Sequence, residues 1–579
     1  MRLVHDSRDG AYRSPTGARP CGERVTLRLR IAEGAPDAVH LRAWFGKESF
    51  YPMRPVAGEE GLYEATVTLP EAPCLFWYDF QVWQGGQFHW YGNAEDGLGG
   101  EGAPVWGEAR SFQITVYDAT FAPPEWVRGA VFYQIFPDRF AVGKAGVLPL
   151  PEGRTLHDHW DEQPALQRDA ITHDNLAHDF FGGNLRGILE KLPYLADLGI
   201  TALYLNPIFA ARTNHRFDTT DWQRIDPLLG DEADFRALCE GAAKLGMRVV
   251  LDGVFSHSGD HCAFFEEARR RADSQYRHWY TFAHWPDQYK SWWGFPTLPE
   301  LNKHEPGVRR YFLGNTGAVV PRWLREGAAG WRLDVADELP MDYLRQLRRS
   351  AKAAKSDALV IGEVWEDASH KVSYGQMRCY ALGDTLDGVM NYPLREAAIG
   401  FLTGEMDAGA FKRRMDSLYE NYPAPFAAAL LNVIGTHDRA RILNVLAGEA
   451  SGEKPLSTKA RALAEKRLLM MIALLGAMPG MPCLYYGDEA GMEGGADPFN
   501  RGTFPWGRED KALTERIKEI LSKRRALDGA LVMEAPTPDV LVVRRGDAIV
   551  AVNRGNRARK VVIGADTAVV PAYGVLMIG

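Results

Sequence analysis

Acidic and imidazole side chains stand at the ends of four short apolar segments in the middle of the chain. These segments end at Asp252, at Arg332-Leu333-Asp334, at Glu363 and at His437-Asp438. Two carboxyl groups held close together can hydrolyse a glycosidic bond, because one protonates the leaving oxygen while the other attacks the carbon or activates water. The residue types therefore predict acid and base chemistry on a sugar.

The spacing of these residues bears on the type of hydrolysis, with retention or with inversion of configuration. Arg332 lies two residues before Asp334, so both side chains point to the same side of a strand, and the guanidinium is expected to keep Asp334 ionised. The stretch from Asp334 to Glu363 has room for one helix and two loops, which puts the two carboxylates on neighbouring strands. Neighbouring parallel strands lie about 4.8 Å apart. Carboxyl groups about 5 to 5.5 Å apart are typical of hydrolysis with retention of configuration, so the spacing favours a retaining mechanism.

Apolar strands alternate with amphipathic helices from Ala130 to about residue 528, which predicts parallel β/α units. Strands are predicted at 131–136, 202–205, 248–255, 330–333, 359–364, 388–390, 430–434 and 483–486. Eight such strands close into a (β/α)8 TIM barrel, whose active site forms at the carboxyl ends of the strands. The four segments that carry reactive groups therefore meet on one face.

Two helices of this region have clear apolar faces. The side chains predicted to point inward are Leu185, Ile188, Leu189, Leu192 and Leu195 in the first, and Phe235, Leu238, Ala242 and Leu245 in the second. Each helix is followed by a glycine, Gly199 or Gly246, as is common after a helix.

Short β-type segments flank the barrel region on both sides. Val25, Leu27, Leu29 and Ile31 alternate with polar residues and so share one face of a strand. Together with similar segments up to about residue 120, they predict an N-terminal β-sandwich at 1–122. The barrel is then expected at 123–528, with an inserted loop domain at about 257–306, and a small C-terminal β domain at 529–579.

The bulk composition excludes several classes of function. Lys and Arg total 67 against 75 Asp and Glu, a net charge of −8, so a nucleic-acid partner is not expected. The uncharged stretch 468–486 is broken by Pro479 and Pro482, which argues against a membrane span. The first residues lack the apolar core of a secretion signal, and the six cysteines lack a metal or disulfide spacing. A cytoplasmic location is the expectation.

Several longer motifs in the chain carry a resemblance to a known family. The motifs are Val131-Phe-Tyr-Gln-Ile-Phe-Pro-Asp-Arg-Phe140, Ala202-Leu-Tyr-Leu-Asn-Pro-Ile-Phe209, Asn214-His-Arg-Phe-Asp-Thr219, Leu298-Pro-Glu-Leu-Asn302, Gly330-Trp-Arg-Leu-Asp-Val-Ala-Asp-Glu338 and Tyr485-Tyr-Gly-Asp-Glu489. In these motifs the chain resembles the α-amylase family, and within it the neopullulanase, cyclomaltodextrinase and maltogenic amylase group. The resemblance covers nearly the whole chain.

The resemblance implies a role for each matched position. Asp334 would be the nucleophile, Glu363 the general acid/base and Asp438 the carboxylate that stabilises the transition state. The substrate-binding positions that it implies are His257, Arg332, His437, Phe217, Asp218 and Glu338.

Five positions depart from the family's usual pattern. Phe217 stands where Tyr is common, Ser256 where Asn is common, Asp337 where the group usually has Asn, Glu366 where it often has His, and Arg439 where Thr is frequent. No catalytic group is lost, but Asp337, Glu366 and Arg439 leave the bond preference open.

The family's calcium site after the first strand is also altered. Val142-Gly143-Lys144-Ala145 lacks the side-chain oxygens that a hard cation needs, and Asn184 stands where Asp is usual. No metal ligand is assigned and no cofactor is expected to be required, although a calcium site elsewhere in the chain stays open.

Tryptophans suggest where a glucan could lie. Trp292 and Trp293 form either a platform under a glucose ring or part of the core, and two adjacent loop tryptophans are hard to bury together. The N-terminal module holds Trp44, Trp77, Trp83, Trp90 and Trp106. Some are expected in its core and the others on a starch-binding or subunit-contact surface. The resemblance favours a homodimer built through this module.

Three hypotheses follow for the function. The first is a hydrolase of α-1,4 bonds in maltooligosaccharides, cyclodextrins or pullulan, with some transglycosylation. The second is an oligo-α-glucosidase or amylopullulanase-like enzyme that prefers α-1,6 bonds. The third is a non-catalytic glucan-binding protein on the same barrel, which would normally have lost one of the three carboxylates.

Overall fold

The computed structural model describes residues 2–105, 107–144, 150, 153–168, 175–524, 529–563 and 566–578. The chain divides into two compact units. The first comprises Met1–Pro123, Glu366–Gly388 and Ala410–Ala428, and the second comprises Pro124–Trp365, Val389–Gly409 and Ala429–Gly579. The sequence analysis gave the two later segments of the first unit to the barrel region. In the structure they pack with the N-terminal residues, where Glu420 accepts hydrogen bonds from Arg8 and from the buried Arg13.

The N-terminal module is a β-sandwich, as predicted. One antiparallel sheet contains Leu3–Val4, Arg13–Ser14, Arg24–Ile31, Arg54–Pro55 and Leu62–Thr68. The other contains Arg19–Pro20, Ala38–Trp44, Glu48–Pro52, Cys74–Gln84, Gln87–Gly92, Ala103–Val105 and Phe112–Tyr117. The four alternating residues Val25, Leu27, Leu29 and Ile31 are all buried in one core with side chains of the second sheet, such as Phe76. The period-two pattern therefore predicted this face correctly.

The rest of the first unit is a short hairpin with two helices. The elements are Lys371–Ser373, Gln376–Arg378, the 3-10 turn Tyr380–Leu382, and the helices Ala408–Asn421 and Ala424–Ala428. The longer helix begins at Ala408, two residues before the third segment of this unit, which begins at Ala410.

The second unit contains an eight-stranded parallel barrel, which confirms the predicted fold class. The strands are β1 Phe132–Ile135, β2 Ala202–Leu205, β3 Arg248–Gly253, β4 Gly330–Leu333, β5 Leu359–Gly362, β6 Gly388–Val389, β7 Leu431–Val433 and β8 Met481–Tyr485. They are arranged in the order β6-β5-β4-β3-β2-β1-β8-β7, and a parallel bridge between Met390 and Leu431 joins the two ends. Most of these strands are buried along their whole length because helices and barrel interior cover both faces.

Helices and turns connect the barrel strands. The helices are Pro137–Phe140, Leu185–Asp197, Glu232–Lys244, Ala263–Arg270, Pro306–Leu313, Val319–Arg325, Met341–Ala354, Tyr392–Thr403, Ile442–Ala447, Thr458–Ala477 and Lys511–Arg524. The 3-10 turns are Glu125–Val127, Arg277–Trp279, Trp292–Gly294, Ala336–Glu338 and Phe499–Arg501. Small strand pairs are Thr155–Leu156 with Asp179–Phe180, Phe209–Ala211 with Thr219–Ile225, and Phe282–His284 with Gln288–Tyr289.

The two predicted helical faces are largely as expected. Asn184 caps the helix Leu185–Asp197, and an Asp231/Asp234 capping box begins the helix Glu232–Lys244. The prediction for Leu245 was wrong, because this residue is 45% exposed. It follows the last helical residue, so it no longer lies on the stripe that faces the barrel.

The uncharged stretch 468–486 is the end of a buried helix followed by β8, with Gly480 at φ 113° in the turn between them. Within the described ranges, none of the helices combines the length and the apolarity that a bilayer crossing requires. The last barrel helix ends at Arg524, and the predicted boundary at residue 528 lies outside the described residues.

A small β domain follows the barrel, as predicted. Its strands are Leu531–Thr537, Val540–Arg545, Ala548–Asn553 and Gly574–Ile578, with a hairpin of Arg559–Ile563 and Asp566–Val570. Alternating apolar residues, among them Val540, Val542 and Ala551, form its core.

Candidate active site

One buried guanidinium connects the carboxyl groups of three neighbouring strands. Arg332 Nη1 donates to Asp252 Oδ1 at 2.8 Å and to Asp334 Oδ1 at 3.0 Å, while its Nη2 lies 3.1 Å from Glu363 Oε2. Asp252 belongs to β3, and Asp334 and Glu363 directly follow β4 and β5. The parallel register of the barrel thus places the predicted carboxylate pair beside one cation.

Two further N–H groups hold the carboxylate of Glu363. The backbone N–H of Val335 donates to Oε2 at 2.8 Å, and the indole N–H of Trp365 donates to Oε1 at 3.1 Å. Val335 has φ 38°, a strained backbone conformation for a β-branched residue. Such strain is common where a turn must aim a particular group, and here the turn aims an N–H at Glu363.

The sequence analysis expected Arg332 to keep Asp334 ionised. In the structure, burial and then the charge of Glu363 raise the pKa of Asp334 well above its ordinary value, and Arg332 only opposes this rise. Arg332 divides its single positive charge among three carboxyl groups, so it cannot compensate fully for the burial of any one of them. Burial and the charge of Glu363 therefore outweigh Arg332 in their effect on the pKa of Asp334.

Tyr204 and Asp252 support Arg332 from the neighbouring strands, and sequence reasoning assigned neither of them a role. The phenol of Tyr204 donates to Asp252 Oδ2 at 2.6 Å, and its ring lies 5.6 Å from the guanidinium carbon. Burial raises the pKa of Asp252 to about 6. The sequence does place the carboxylate of Asp252 at the end of an apolar strand. Its contact with Arg332 could not be predicted from this, because the contact depends on the register between β3 and β4.

His437 and Asp438 lie after β7. The side-chain amide of Gln134 donates to His437 Nδ1 at 2.8 Å, so the ring proton sits on Nε2, 3.1 Å from Asp438 Oδ1. Burial, together with the charge of Arg501, lowers the pKa of His437 well below its ordinary value, which keeps the ring neutral. Phe217 stacks on this imidazole at 5.2 Å with a 7° angle between the planes. The neutral imidazole therefore has a fixed tautomer and a fixed plane.

His257 and Asp218, both predicted to bind substrate, are engaged by the protein itself. The Ser256 hydroxyl donates to His257 Nδ1 at 2.7 Å, and Nε2 donates to the Phe217 carbonyl at 3.1 Å. Burial lowers the pKa of His257 to about 4. Asp218 accepts hydrogen bonds from the backbone N–H groups of Arg212 and Thr213. Both residues fix the loop that carries Phe217, which is a positioning role in this structure.

The Trp292–Trp293 pair lies next to His257. The two indole rings are stacked at 5.0 Å, Trp293 is 74% exposed, and the Trp292 ring is 5.6 Å from His257. Neither tryptophan is buried, so the arrangement has the form of a platform. Glu338, the remaining predicted substrate residue, is half-buried in the turn Ala336–Glu338 after β4.

Trp365 is held between two partners that sequence reasoning did not identify. The Tyr392 ring stacks on the indole at 3.8 Å, and the Arg439 guanidinium carbon lies 4.5 Å from the indole centre. Arg439 is one of the positions that depart from the family pattern. Because this indole also donates to Glu363, Arg439 is two contacts away from the predicted acid/base.

Among the described residues after β1, Asn184 offers a side-chain oxygen near Gly143. Asn184 Oδ1 accepts from the backbone N–H groups of Gly143 and Gly187 at 3.1 and 2.8 Å, so this oxygen is already used. The described part of the chain has no group of three or more His, Cys, Asp or Glu side chains able to hold a metal. Ala145, part of the altered motif, lies outside the described residues.

Comparison with known proteins agrees with this geometry. The profile of the α-amylase catalytic domain matches residues 134–528. An amylopullulanase of Thermoanaerobacter thermohydrosulfuricus is 37% identical over 90% of this chain and 39% of its own length. A cyclomaltodextrinase of Geobacillus thermopakistaniensis is 34% identical over 93% of this chain and 90% of its own.

A solved structure is similar over the full length. The type III pullulan hydrolase from Thermococcus kodakarensis has a TM-score of 0.70 at 26% identity, with 100% of both chains covered. The chain spans only 30 to 49% of the length of three amylopullulanases that it matches. The barrel, the carboxylates joined by one arginine and these relatives together show that the chain belongs to the α-amylase family of glycoside hydrolases, in the group of the cyclomaltodextrinases, neopullulanases and maltogenic amylases.

Proposed function

We propose that this protein hydrolyses α-glucosidic bonds with retention of configuration. Asp334 attacks the anomeric carbon as the bond to the leaving oxygen breaks, and Glu363 gives that oxygen its proton. Glu363 then takes a proton from water, which attacks the same carbon and releases Asp334. The observation that carries the proposal is the contact of both carboxyl groups with Arg332.

The contacts around Asp334 bear on the first step. Glu363 is the largest charged contributor to the raised pKa of Asp334, and Arg332 opposes that rise. The first step requires an anionic Asp334 beside a Glu363 that carries the proton. Asp438, beside a neutral His437, supplies the further negative charge that stabilises a positively charged sugar.

The substrates proposed are maltooligosaccharides, cyclodextrins and pullulan, cut mainly at α-1,4 bonds with some transglycosylation. The names of the relatives support this range, and Trp292 and Trp293 offer a stacking surface for a glucose ring beside the site. A non-catalytic glucan-binding role is disfavoured because all three carboxylates are present. Products formed from maltotriose, β-cyclodextrin and pullulan, followed by proton NMR, test the proposal. Early α-anomer supports retention, and early β-anomer would overturn it.

A preference for α-1,6 bonds is the second candidate. It is favoured by the guanidinium of Arg439 over Trp365, where the family often has Thr, and by the amylopullulanase relatives. Panose, which contains one bond of each type, separates the two candidates. Release of maltose and glucose by cleavage of the α-1,6 bond supports the second, whereas glucose with isomaltose shows α-1,4 cleavage.

We further propose that the protein is a homodimer built through the N-terminal module. All four described tryptophans of this module lie outside its core, contrary to the expectation that some would be buried, and Trp106 lies outside the described residues. Trp83, 43% exposed, packs against Phe88 at 4.9 Å and forms an apolar patch with it. An isologous dimer is the commonest soluble assembly. A monomeric mass in light scattering would reject this assignment.

Cation dependence and location complete the proposal. Because Asn184 Oδ1 is already hydrogen-bonded, we expect EDTA to leave hydrolysis unchanged; loss of activity that calcium alone restores would contradict this. The six scattered cysteines, which have no spacing suited to a disulfide framework, suit a reducing, cytoplasmic location. Cell fractionation with antibodies checks the location.

A further inference from the structure

Arg439 brings a guanidinium without a protein partner to the edge of the proposed active site. Its side chain is exposed, and its guanidinium carbon lies 4.5 Å from the centre of the Trp365 indole. Among the residues that the structure describes, no hydrogen bond or ion pair joins this guanidinium to the protein. An arginine side chain has five N–H donors, so the donors of Arg439 are available to a ligand.

The buried side chain of Asn500 fixes the backbone that carries Arg439. Its Nδ2 donates to the His437 carbonyl at 2.6 Å and to the Arg439 carbonyl at 2.9 Å. The backbone on both sides of Asp438 is thereby held in place, and the far end of the Arg439 side chain lies over Trp365. The position of the guanidinium is therefore determined at both ends of the side chain.

Trp365 has no free indole face for a sugar. The ring of the buried Tyr392 stacks on it at 3.8 Å, with 8° between the planes. A guanidinium 4.5 Å from the same indole centre cannot share a face that is already covered at 3.8 Å, so it covers the opposite face. A sugar beside Trp365 would therefore contact the guanidinium of Arg439, which offers hydrogen bonds in place of an apolar surface.

Trp365 and Arg439 lie on the side of Glu363 that is turned away from Arg332. Arg332 contacts Oε2 of Glu363, whereas the indole of Trp365 donates to Oε1. In the proposed reaction Asp334, which Arg332 also contacts, attacks the anomeric carbon, and Glu363 protonates the leaving oxygen. The sugar that departs with this oxygen is therefore expected beside Trp365 and Arg439.

The charges around Arg439 favour a neutral ligand. Asp438 is its neighbour in the chain, and Glu363 accepts from the indole that Arg439 covers. These carboxylates would repel an anion at the guanidinium. Sugar hydroxyls accept hydrogen bonds without carrying charge, so a neutral sugar suits this position.

We propose that Arg439 is a specificity-determining residue that donates hydrogen bonds to the sugar on the leaving side of the cleaved bond. The inference rests on the proposed function, because it requires a glycosyl-enzyme on Asp334. When an acceptor sugar replaces water in the second step, its hydroxyl oxygen bonds to the anomeric carbon, the bond to Asp334 breaks and the proton goes to Glu363. By holding that acceptor, Arg439 raises the share of transfer over hydrolysis.

Competition between glucose and water for the glycosyl-enzyme tests this role. α-Maltosyl fluoride supplies the glycosyl-enzyme, because fluoride leaves without protonation, and glucose is added at increasing concentrations. Initial rates of trisaccharide formation report transfer, and initial rates of maltose formation report hydrolysis. Arg439→Ala should lower the ratio of transfer to hydrolysis by about tenfold or more, because a hydrogen bond from a charged donor contributes at least about that factor. Arg439→Lys, which keeps a charged donor, should give an intermediate ratio.

Trp365→Phe is the matched control for an effect that passes through Glu363. It removes the N–H that donates to Glu363 but keeps an aromatic ring under Arg439. Hydrolysis of maltotriose should slow, whereas the ratio of transfer to hydrolysis should stay nearly unchanged, because water and glucose need the same base. Arg508→Ala, at an exposed arginine that is paired with Asp161, should not change the ratio.

The outcomes separate the two roles of Arg439. If Arg439→Ala, shown to be folded by thermal unfolding, has the same ratio as the unmutated protein, Arg439 does not bind the leaving sugar. Equal reductions in Arg439→Ala and Trp365→Phe overturn the proposal too, because Arg439 would then act only through Trp365. If the unmutated protein consumes neither α-maltosyl fluoride nor maltotriose, the proposed function fails and this inference fails with it. A normal rate on both substrates with an unchanged ratio in Arg439→Ala refutes this inference alone.

Discussion

At the scale of single residues, Arg332 organises the site. Its guanidinium is fully buried and contacts Asp252, Asp334 and Glu363. A buried ion cluster is held together by geometry rather than by a large net gain in free energy, because taking the charges out of water is costly. Lysine could not replace this planar group, since one ammonium cannot present two separate nitrogens to carboxyl groups on different strands. The arrangement fixes the relative positions of Asp334 and Glu363.

Glu363→Gln should lower kcat on maltotriose by about 10² to 10⁴-fold, because the leaving sugar oxygen then receives no proton. On α-maltosyl fluoride the first step should proceed, since fluoride leaves without protonation. Steady-state kinetics on both substrates measure the difference. Glu366→Gln is the matched control, because Glu366 is mostly exposed and paired with Lys371. Equal losses of kcat/KM, which reports the first step, on both substrates would contradict an acid role for Glu363.

At the scale of elements, the loops after β2 and β3 are packed together closely. A Cβ added to Gly259 would lie 2.4 Å from the backbone oxygen of Asp218, so the neighbouring chain would have to move. Asp218 is adjacent to Phe217, which stacks on His437. The contact between these loops therefore helps to fix the stack of Phe217 on His437.

Gly259→Ala should destabilise the fold by about 1 to 3 kcal/mol, as overpacking does. It should also raise KM for maltotriose, because Phe217 and His437 lose their alignment. Thermal unfolding and steady-state kinetics measure the two effects. Gly317→Ala is the control, since no atom lies within 4 Å of its added Cβ. If Gly259→Ala leaves both the unfolding temperature and the KM for maltotriose unchanged, this loop contact does not position the site.

The sequence predicted elements well where short-range patterns decide them. Strands β2 and β4 have their predicted bounds, because continuous apolar runs between turn residues mark buried parallel strands. Contacts that depend on distant packing could not be predicted in this way. Tyr204 reaches Asp252 only once β2 and β3 are in register, and Arg439 reaches Trp365 only when β5 and β7 take their places.

At the scale of the whole molecule, the division into units was only partly predictable. The sandwich pattern identified the N-terminal module, but the segments 366–388 and 410–428 join it through contacts such as Arg13 with Glu420. A local sequence pattern cannot predict the ion pair between Arg13 and Glu420, because these residues are about 400 positions apart. The three carboxylates that we propose to be catalytic could be located from the sequence because each of them follows the end of a strand.

Acid sensitivity of the first unit follows from His5 in its core. His5 Nδ1 donates to the Arg28 carbonyl, Tyr78 donates to Nε2, and burial lowers the pKa of His5 to about 3. The unfolded chain takes up this proton below pH of about 6.5 but the folded chain does not, so stability is lost as pH falls. Between pH 7 and 4.5 the contribution is about 2 to 3 kcal/mol.

His5→Gln should therefore reduce the dependence of unfolding free energy on pH across this window. Urea denaturation at pH 7 and at pH 4.5 measures it, and the stability gap between wild type and variant should shrink at the lower pH. His89→Gln, at a half-buried position of the same module, is the control. A gap that is the same at both pH values would mean that His5 is not neutral in the folded core.

In the proposed retaining reaction, Asp334 is the nucleophile and forms a covalent bond to the sugar. Incubation with 5-fluoro-α-maltosyl fluoride should trap the glycosyl-enzyme. The ring fluorine slows both steps, and the good fluoride leaving group keeps the first step faster than the second, so the intermediate accumulates. Peptide mass spectrometry then identifies the modified residue. We expect a single label on the peptide that contains Asp334, and no label in Asp334→Asn. A label on Glu363 or Asp438, or turnover without any trapped intermediate and with early β-anomer, would contradict it.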